Sequence, residues 1–181
     1  AAIATVHAAL DAGITTFDCA DIYTGVEELI GQFRGEYQNR RGSEALAKIR
    51  VHTKFVPDLA ALGTLSKSYV EAALDNSLRR LRAERIDLVQ FHWWDYNNPN
   101  YLDALKYLTD LRDTKMIKNI GLTNFDTERV QIMLDSDLPI VSNQIQYSII
   151  DRRPEVKMIP FCQKHHISLL AYGSLCGGLM S

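Results

Sequence analysis

Four polar residues of types that transfer protons follow or end three short apolar runs of this sequence. Asp18 and Tyr23 come after the first run, Lys54 lies near the end of the second, and His92 follows the third. In a (β/α) barrel the strands fill the core, and the loops at their carboxyl ends carry the chemistry. An aspartate, a tyrosine, a lysine and a histidine at the ends of neighbouring strands therefore suggest a site for proton transfer.

Apolar runs alternate with amphipathic segments along the whole sequence. The runs predict six strands, at residues 14–17, 51–55, 86–91, 117–122, 140–145 and 167–172. Helices are predicted between them, at residues 2–12, 26–33, 67–82, 101–112, 127–134 and 155–165. Ser68 and Glu71 have the spacing of a capping box at the start of the third helix, and Pro154 fits the first turn of the last. This alternation predicts one parallel α/β domain over residues 1–181.

The absence of a glycine-rich phosphate loop favours one of two parallel architectures. A doubly wound sheet usually places a G-x-G-x-x-G turn after its first strand, and no such motif follows an early strand here. The later predicted strands also end in polar or stacking groups, namely Thr123-Asn124, Asn143-Gln144 and Tyr172-Gly173-Ser174. We therefore predict a (β/α)8 TIM barrel. It is an incomplete portion with about six β/α units, because eight units typically take about 250 residues.

Composition and charge are those of an ordinary globular protein. The 181 residues are 46% hydrophobic and 23% charged, with a net charge of −2, so no global charge favours nucleic acid or a membrane surface. No apolar run approaches the roughly 20 residues of a membrane span. Three cysteines without close pairing argue against a disulfide framework, so the cytoplasm is the predicted location. Cys19 is interpreted as a plain buried thiol.

Six stretches of the sequence resemble the aldo-keto reductase family, whose members are (β/α) barrels that reduce carbonyls with NADPH. The stretches are AGITTFDCADIY (12–23), VHTK (51–54), IDLVQFH (86–92), IGLTNF (120–125), NQIQY (143–147) and LLAYGSL (169–175). They occur in the family's order across nearly the whole chain. Against the family pattern, a strand before residue 1 and a unit after residue 181 are missing, so the chain resembles a truncated member.

The resemblance implies that Asp18, Tyr23, Lys54 and His92 are the catalytic residues, with Tyr23 as the general acid in carbonyl reduction. A free tyrosine has a pKa near ~10, and a neighbouring ammonium group favours its phenolate. Lys54 is expected to supply that positive charge, and Asp18 to hold Lys54 by a charge-assisted hydrogen bond. His92 is expected to orient the carbonyl oxygen and to stabilise its developing negative charge.

The resemblance also implies a binding site for NADPH. Asn124 and Gln144 are expected to hydrogen-bond the nicotinamide carboxamide, and Tyr172 to stack on the ring. Thr123 stands where family members often have serine, and it keeps the hydroxyl. The loop expected along the pyrophosphate begins with Gly173, Ser174 and Leu175. The preference for NADPH over NADH rests on the family habit alone.

A small carbonyl compound is the substrate that the resemblance implies. Trp93 and Trp94 are expected to form part of an apolar substrate wall, although tryptophans that only cover the barrel top are nearly as well supported. No metal is expected. His92 and Asp95 are close in sequence, but no second histidine or carboxylate pair has the spacing of a ligand set. The sequence does not distinguish among aldehydes, ketones and sugars.

Several of these residues also have a structural interpretation. Asp18 and Lys54 would then be a buried ion pair, and His92 a core histidine. The polar pair Asn143-Gln144 would cap a strand end. The arginine cluster after residue 78 suggests a phosphate site, but a helix carboxyl end also favours cations, so a solvated helix end is the better interpretation.

The alternative function is a non-catalytic scaffold or regulatory subunit on the same fold. An intact catalytic set argues against loss of activity by substitution, but truncation could disable the site anyway. Two open barrel edges are expected to favour association, because unpaired strand edges can pair with strands of other chains. The sequence therefore predicts marginal stability or self-association through these edges.

Overall fold

Six parallel strands form the centre of the computed structural model, which describes residues 2–180. The strands are β1 (Thr16–Asp18), β2 (Arg50–Phe55), β3 (Leu88–Phe91), β4 (Ile120–Thr123), β5 (Ile140–Gln146) and β6 (Ser168–Tyr172). Each strand pairs in parallel with the next along the chain, so the order in the sheet is the order in the sequence. The sheet curls into a half-barrel, with β1 and β6 at its two edges.

Helices connect the strands and pack on the outer face of the sheet. The α-helices are α1 (Ala2–Asp11), α2 (Val26–Arg41), α3 (Ser43–Leu46), α4 (Lys67–Leu81), α5 (Tyr101–Asp113), α6 (Thr127–Asp135) and α7 (Met158–Lys164). Short 3₁₀ helices occur at Leu59–Ala61, Arg153–Glu155 and Cys176–Gly178. Each predicted strand and helix has a counterpart, so the alternation of β and α elements is confirmed.

Three helix ends differ from the prediction in their cap or their boundary. The cap of α4 is Ser66, whose extended backbone lets its hydroxyl accept from the Tyr69 amide at 3.3 Å, so the capping box of Ser68 is wrong. Pro154 lies in a 3₁₀ turn before α7 instead of in the α-helix. Helix α2 continues to Arg41 because its polar second half faces outward, and it stops at Gly42, whose φ is 83°.

Alternation along the strands separates the barrel interior from the helix layer. On β2, Lys54 faces the interior, whereas the Thr53 hydroxyl and the Phe55 ring contact α2 and α4. Phe91 of β3 stacks between Phe55 and Phe125, with centroid distances of 6.0 and 5.7 Å. This packed aromatic row lies on the helix side of the sheet and holds the carboxyl ends of the strands in place. The polar side chains that point inward from those ends are therefore held in place too.

Candidate active site

The carboxyl ends of the strands surround a cavity of about 280 Å³ in the half-barrel. Its wall contains the predicted site residues Asp18, Tyr23, Lys54, His92, Trp94, Thr123, Asn124, Gln144 and Tyr172. These residues come from all six strands or from the turns that follow them. Parallel pairing in chain order explains the convergence, because it places all carboxyl ends at the same side of the sheet.

Lys54 and Asp18 form the central ion pair of the cavity. Lys54 Nζ lies 2.6 Å from Asp18 Oδ2 and donates a second hydrogen bond to the Cys19 carbonyl oxygen at 2.9 Å. Lys54 is only 6% exposed, and its Nζ lies 5.4 Å from the centroid of the Tyr23 ring. The two charge-assisted hydrogen bonds fix the position of the ammonium group, so its charge stays beside Tyr23.

Gln90 is a member of this cluster that the sequence prediction missed. Its Nε2 donates to Asp18 Oδ1 at 2.6 Å, and Gln144 Nε2 donates to the same oxygen at 3.1 Å. Gln90 is fully buried and lies two residues before His92, on the same face of the strand. The available signal was an amide inside the apolar run Leu88–Phe91, because a buried amide requires polar partners.

Tyr23 is located on a tight turn between β1 and α2. Its amide donates to the Ala20 carbonyl oxygen, and its own carbonyl oxygen accepts from the Val26 amide, each at 3.1 Å. The side chain is at the cavity wall, and Tyr23 is 47% exposed. The backbone is therefore held at both sides while the phenol stays open to a small molecule in the cavity.

His92 is a partly buried imidazole next to Lys54. Burial lowers the pKa of His92 below its usual value of 6.5, and the positive charge of Lys54 lowers this pKa further. Its ring packs edge-on against Trp94, with 4.6 Å between the ring centroids. Both effects favour the neutral imidazole at neutral pH, and a neutral imidazole still carries one N–H donor. His92 is therefore suited to donate a hydrogen bond without carrying a charge.

Uncharged polar groups form the opposite wall of the cavity. Thr123 is 5% exposed, and its hydroxyl has no hydrogen-bond partner within residues 2–180. The Tyr172 hydroxyl donates to Asn124 Oδ1 at 3.0 Å, which fixes the amide of Asn124. An unpartnered buried hydroxyl is a group that a polar ligand would satisfy. Gln144 lies beside it in the same wall, which therefore presents a hydroxyl and two side-chain amides to the cavity.

Trp93 lies outside the cavity, in contrast to Trp94. It is 1% exposed, and its Nε1 donates to the carbonyl oxygens of Asp95 and Asn98 at 2.9 and 3.1 Å. Because side chains alternate along an extended segment, the residue after the inward-facing His92 points toward the helix layer. Trp93 is therefore a core residue, which corrects the expectation that it forms part of the substrate wall.

The loop after β6 lies beyond the cavity wall. Gly173 has φ 67°, and its carbonyl oxygen accepts from the Cys176 amide at 2.8 Å, so the chain turns directly after the strand. Gly173, Ser174 and Leu175 are exposed. The structure brings Tyr172 into the cavity and leaves these three residues at its outer side.

Cys19 is buried behind the ion pair. It is fully buried, and burial raises the pKa of its thiol to about 12. A thiol that stays protonated at neutral pH is a poor nucleophile. The interpretation of Cys19 as a plain buried thiol is therefore confirmed.

Asp21 is a partly buried carboxyl group two residues before Tyr23. Burial raises its pKa to about 7, the hydrogen bond from the Val56 amide at 3.1 Å opposes this rise, and the negative charge of Glu27 adds to it. The folded pKa thus lies above the unfolded value of about 3.9. Folding therefore favours the protonated form: this contribution to stability is fully present below about pH 4 and is lost as the pH rises to 7.

Asp21→Asn should remove this pH dependence. An asparagine keeps an oxygen that accepts from the Val56 amide, but it cannot ionise. The difference in free energy of unfolding, variant minus wild type, should be about 1–3 kcal/mol larger at pH 8 than at pH 4. Urea unfolding at both pH values measures this difference. Parallel pH profiles of the two proteins would contradict it.

Comparison with known proteins identifies the family. The model of the Aldo/keto reductase family matches residues 1–181. The chain belongs to this family. It is 31% identical over 99% of its length to the aldo-keto reductase YhdN of Bacillus subtilis, and 28% identical over 90% to flagellar radial spoke protein 5 of Chlamydomonas reinhardtii. It spans 53% of the first relative and 36% of the second, about half of their length or less.

Solved structures of other aldo-keto reductases confirm the fold. An aldo/keto reductase from Klebsiella pneumoniae in complex with NADP and acetate is 26% identical, with a TM-score of 0.81 over 98% of this chain and 59% of that one. The glycerol dehydrogenase from Gluconobacter oxydans is 31% identical, with a TM-score of 0.81 over 98% of this chain and 54% of that one. The predicted incomplete (β/α)8 barrel is thereby confirmed.

Other expectations concern membranes, metals and partners. Among the helices of residues 2–180, none combines the length and the apolar composition that a membrane crossing needs. The same part of the chain has no group of three or more His, Cys, Asp or Glu side chains placed to hold a metal ion. The cytoplasmic location, the single domain, self-association and the lack of a nucleic-acid partner stay predictions.

Proposed function

We propose that this aldo-keto reductase reduces an aldehyde or ketone to an alcohol, with NADPH as the hydride donor. The observation that carries the proposal is the Lys54–Asp18 ion pair beside Tyr23, in a cavity that also contains His92. Membership of the family supports the reaction class, and the NADP-bound relative supports the cofactor. A small carbonyl compound is the substrate class.

Tyr23 acts as the general acid in this proposal. NADPH, when bound, supplies the hydride that reduces the carbonyl carbon. As negative charge develops on the carbonyl oxygen, Tyr23 donates its phenolic proton, and the fixed ammonium of Lys54 stabilises the phenolate that remains. Asp18 keeps Lys54 in place, and neutral His92 donates a hydrogen bond to the same carbonyl oxygen.

The uncharged wall of the cavity holds the cofactor in this proposal. Thr123, Asn124 and Gln144 bind the carboxamide of the nicotinamide, and Tyr172 stacks on the ring. The unpartnered Thr123 hydroxyl supports this assignment, because a bound amide would satisfy it. Gln144 Nε2 is already engaged with Asp18, which leaves its Oε1 to accept from the carboxamide. The loop proposed for the pyrophosphate is Gly173, Ser174 and Leu175.

Trp94 forms the substrate wall of the proposed site. It is 50% exposed at the cavity, and its Nε1 donates to the Pro57 carbonyl oxygen at 2.8 Å, so its ring is held in position. The ring packs against His92, the proposed donor to the carbonyl oxygen. A rigid aromatic wall beside that donor suits an apolar or aromatic carbonyl compound.

A fluorescence titration with NADPH tests the cofactor site. We expect saturable quenching of tryptophan emission, with the signal largely lost in Trp94→Phe, since Trp93 is buried away from the cavity. Tyr172→Ala should weaken the affinity for NADPH by about tenfold, because it removes the stacking surface. A folded wild-type chain that shows no saturable change would contradict the proposal.

A non-catalytic scaffold is the second candidate function. It is favoured by one relative that is named as a flagellar radial spoke protein. A scaffold of this kind would bind NADPH at the same cavity without reducing a carbonyl. Binding without hydride transfer therefore distinguishes it from the reductase.

A further inference from the structure

An ion pair between α2 and α4 lies behind the turn that carries Tyr23, with the Glu27 carboxylate buried and the Arg80 side chain 36% exposed. Glu27 is 1% exposed, and its Oε2 accepts from Arg80 Nη1 at 3.2 Å. Its Oε1 accepts from the Thr53 hydroxyl at 2.6 Å. Arg80 Nη1 also donates to the Asp21 carbonyl oxygen at 3.2 Å. One buried carboxylate thus connects β2, α4 and the turn after β1.

The partners of this ion pair are sequence neighbours of two proposed catalytic residues. Thr53 directly precedes Lys54 and faces the opposite side of the strand, while Asp21 lies two residues before Tyr23. We infer that Glu27 and Arg80 form a clamp that positions Tyr23 relative to Lys54, an inference that rests on the proposed function. The clamp contacts β2 and the turn after β1 from the helix layer, and it does not contact the substrate.

Stability alone is a weak explanation for a charged pair at this position. Burying a carboxylate is costly, and well-packed apolar side chains of similar volume often serve stability equally well. What the pair adds is a fixed orientation of the two segments, because Arg80 Nη1 donates both to Glu27 and to the Asp21 carbonyl oxygen, while its Nε lies 3.3 Å from Glu28 Oε1. The predicted solvated helix end holds only in part for Arg80, whose side chain is 36% exposed but binds Glu27, whereas Arg79 is exposed and contacts Asn76 of its own helix.

A glycine in α2 permits the close approach that the clamp requires. A Cβ atom at Gly31 would lie 1.9 Å from the Arg80 carbonyl oxygen, so the two helix backbones meet at this point. Glu27 lies four residues earlier on α2, one turn away on the same face. The contact at Gly31 thus brings the Glu27 carboxylate within reach of Arg80.

Arg80→Met tests the clamp while it keeps an apolar stem of similar length. We expect amide hydrogen exchange at residues 20–26 to accelerate by about tenfold or more, because the turn loses a hydrogen bond from a charged donor. The kcat for aldehyde reduction should fall by about tenfold, with little change in the affinity for NADPH. Arg79→Met is the matched control, since it removes the neighbouring exposed arginine, and it should change neither quantity.

Thr53 supplies a second, milder test of the same clamp. Thr53→Val removes the hydroxyl that donates to Glu27 and should also lower kcat, whereas Thr53→Ser keeps the hydroxyl and should retain it. Unchanged exchange at residues 20–26 in Arg80→Met would overturn the inference, and so would equal kcat in the valine and serine variants when the wild type is active. Accelerated exchange in Arg80→Met supports the clamp even if the wild type reduces no carbonyl, and that outcome would refute only the proposed function.

Discussion

Tyr23→Phe is expected to lower the turnover of an aldehyde by about 10²–10⁴-fold, while the affinity for NADPH changes little. The substitution removes only the phenolic O–H, which is the proton donor of the proposed reaction. The Lys54–Asp18 ion pair and the wall of Thr123 and Gln144 keep their contacts, so the cofactor site should remain. The rate of NADPH oxidation with benzaldehyde and the tryptophan fluorescence titration measure the two quantities.

Tyr37→Phe is the control for this prediction. Tyr37 lies on α2 outside the cavity, where its ring packs on Phe33, so its hydroxyl has no place in the proposed reaction. We expect wild-type turnover from this variant. Equal turnover in Tyr23→Phe and Tyr37→Phe would refute the assignment of Tyr23 as the general acid.

Gly31→Ala is expected to reduce the free energy of unfolding by about 3 kcal/mol or more. The new Cβ would lie 1.9 Å from the Arg80 carbonyl oxygen and 3.0 Å from two further backbone carbons of α4. Backbone atoms cannot rotate away from such a contact, so α2 has to move off α4 and leave gaps in the core. Urea unfolding measures the loss, and the separation of Glu27 from Arg80 should lower kcat as well.

Gly35→Ala is the matched control in the same helix. Its Cβ would lie 3.1 Å from Arg82 Nη1, the end of a side chain that is able to move. Because alanine favours helix more than glycine does, we expect this variant to be as stable as the wild type or up to about 1 kcal/mol more stable. Similar destabilisation by both substitutions would contradict the close approach of α2 and α4 at Gly31.

The order of strands and helices was predictable because each element leaves a local pattern. Buried parallel strands appear as short continuous apolar runs, and the helices between them show an apolar stripe. The errors lie at boundaries that tertiary contacts decide. The register of β1 with β2 starts at Thr16, opposite Arg50, and the exposed Ile14 precedes the strand.

The inward-facing site residues were predictable from their positions at strand ends, and the supporting residues were not. The partner of Gln90 is Asp18, which is 72 residues away, and Glu27 binds Thr53 and Arg80 from two other elements. No local spacing encodes such contacts. Trp93 was misplaced because it directly follows His92, which faces the cavity. Neighbouring residues of an extended segment point to opposite faces, so Trp93 points away from the cavity.

The transfer of deuterium to benzaldehyde from NADPH that carries deuterium at both hydrogen positions of nicotinamide C4 tests the proposed reaction most directly. The purified chain is incubated with both compounds, and the products are analysed by mass spectrometry. We predict benzyl alcohol with deuterium on its carbinol carbon from the wild type, and almost none from Tyr23→Phe. A folded chain that binds NADPH but yields no deuterated alcohol would contradict the assignment of carbonyl reduction to this site.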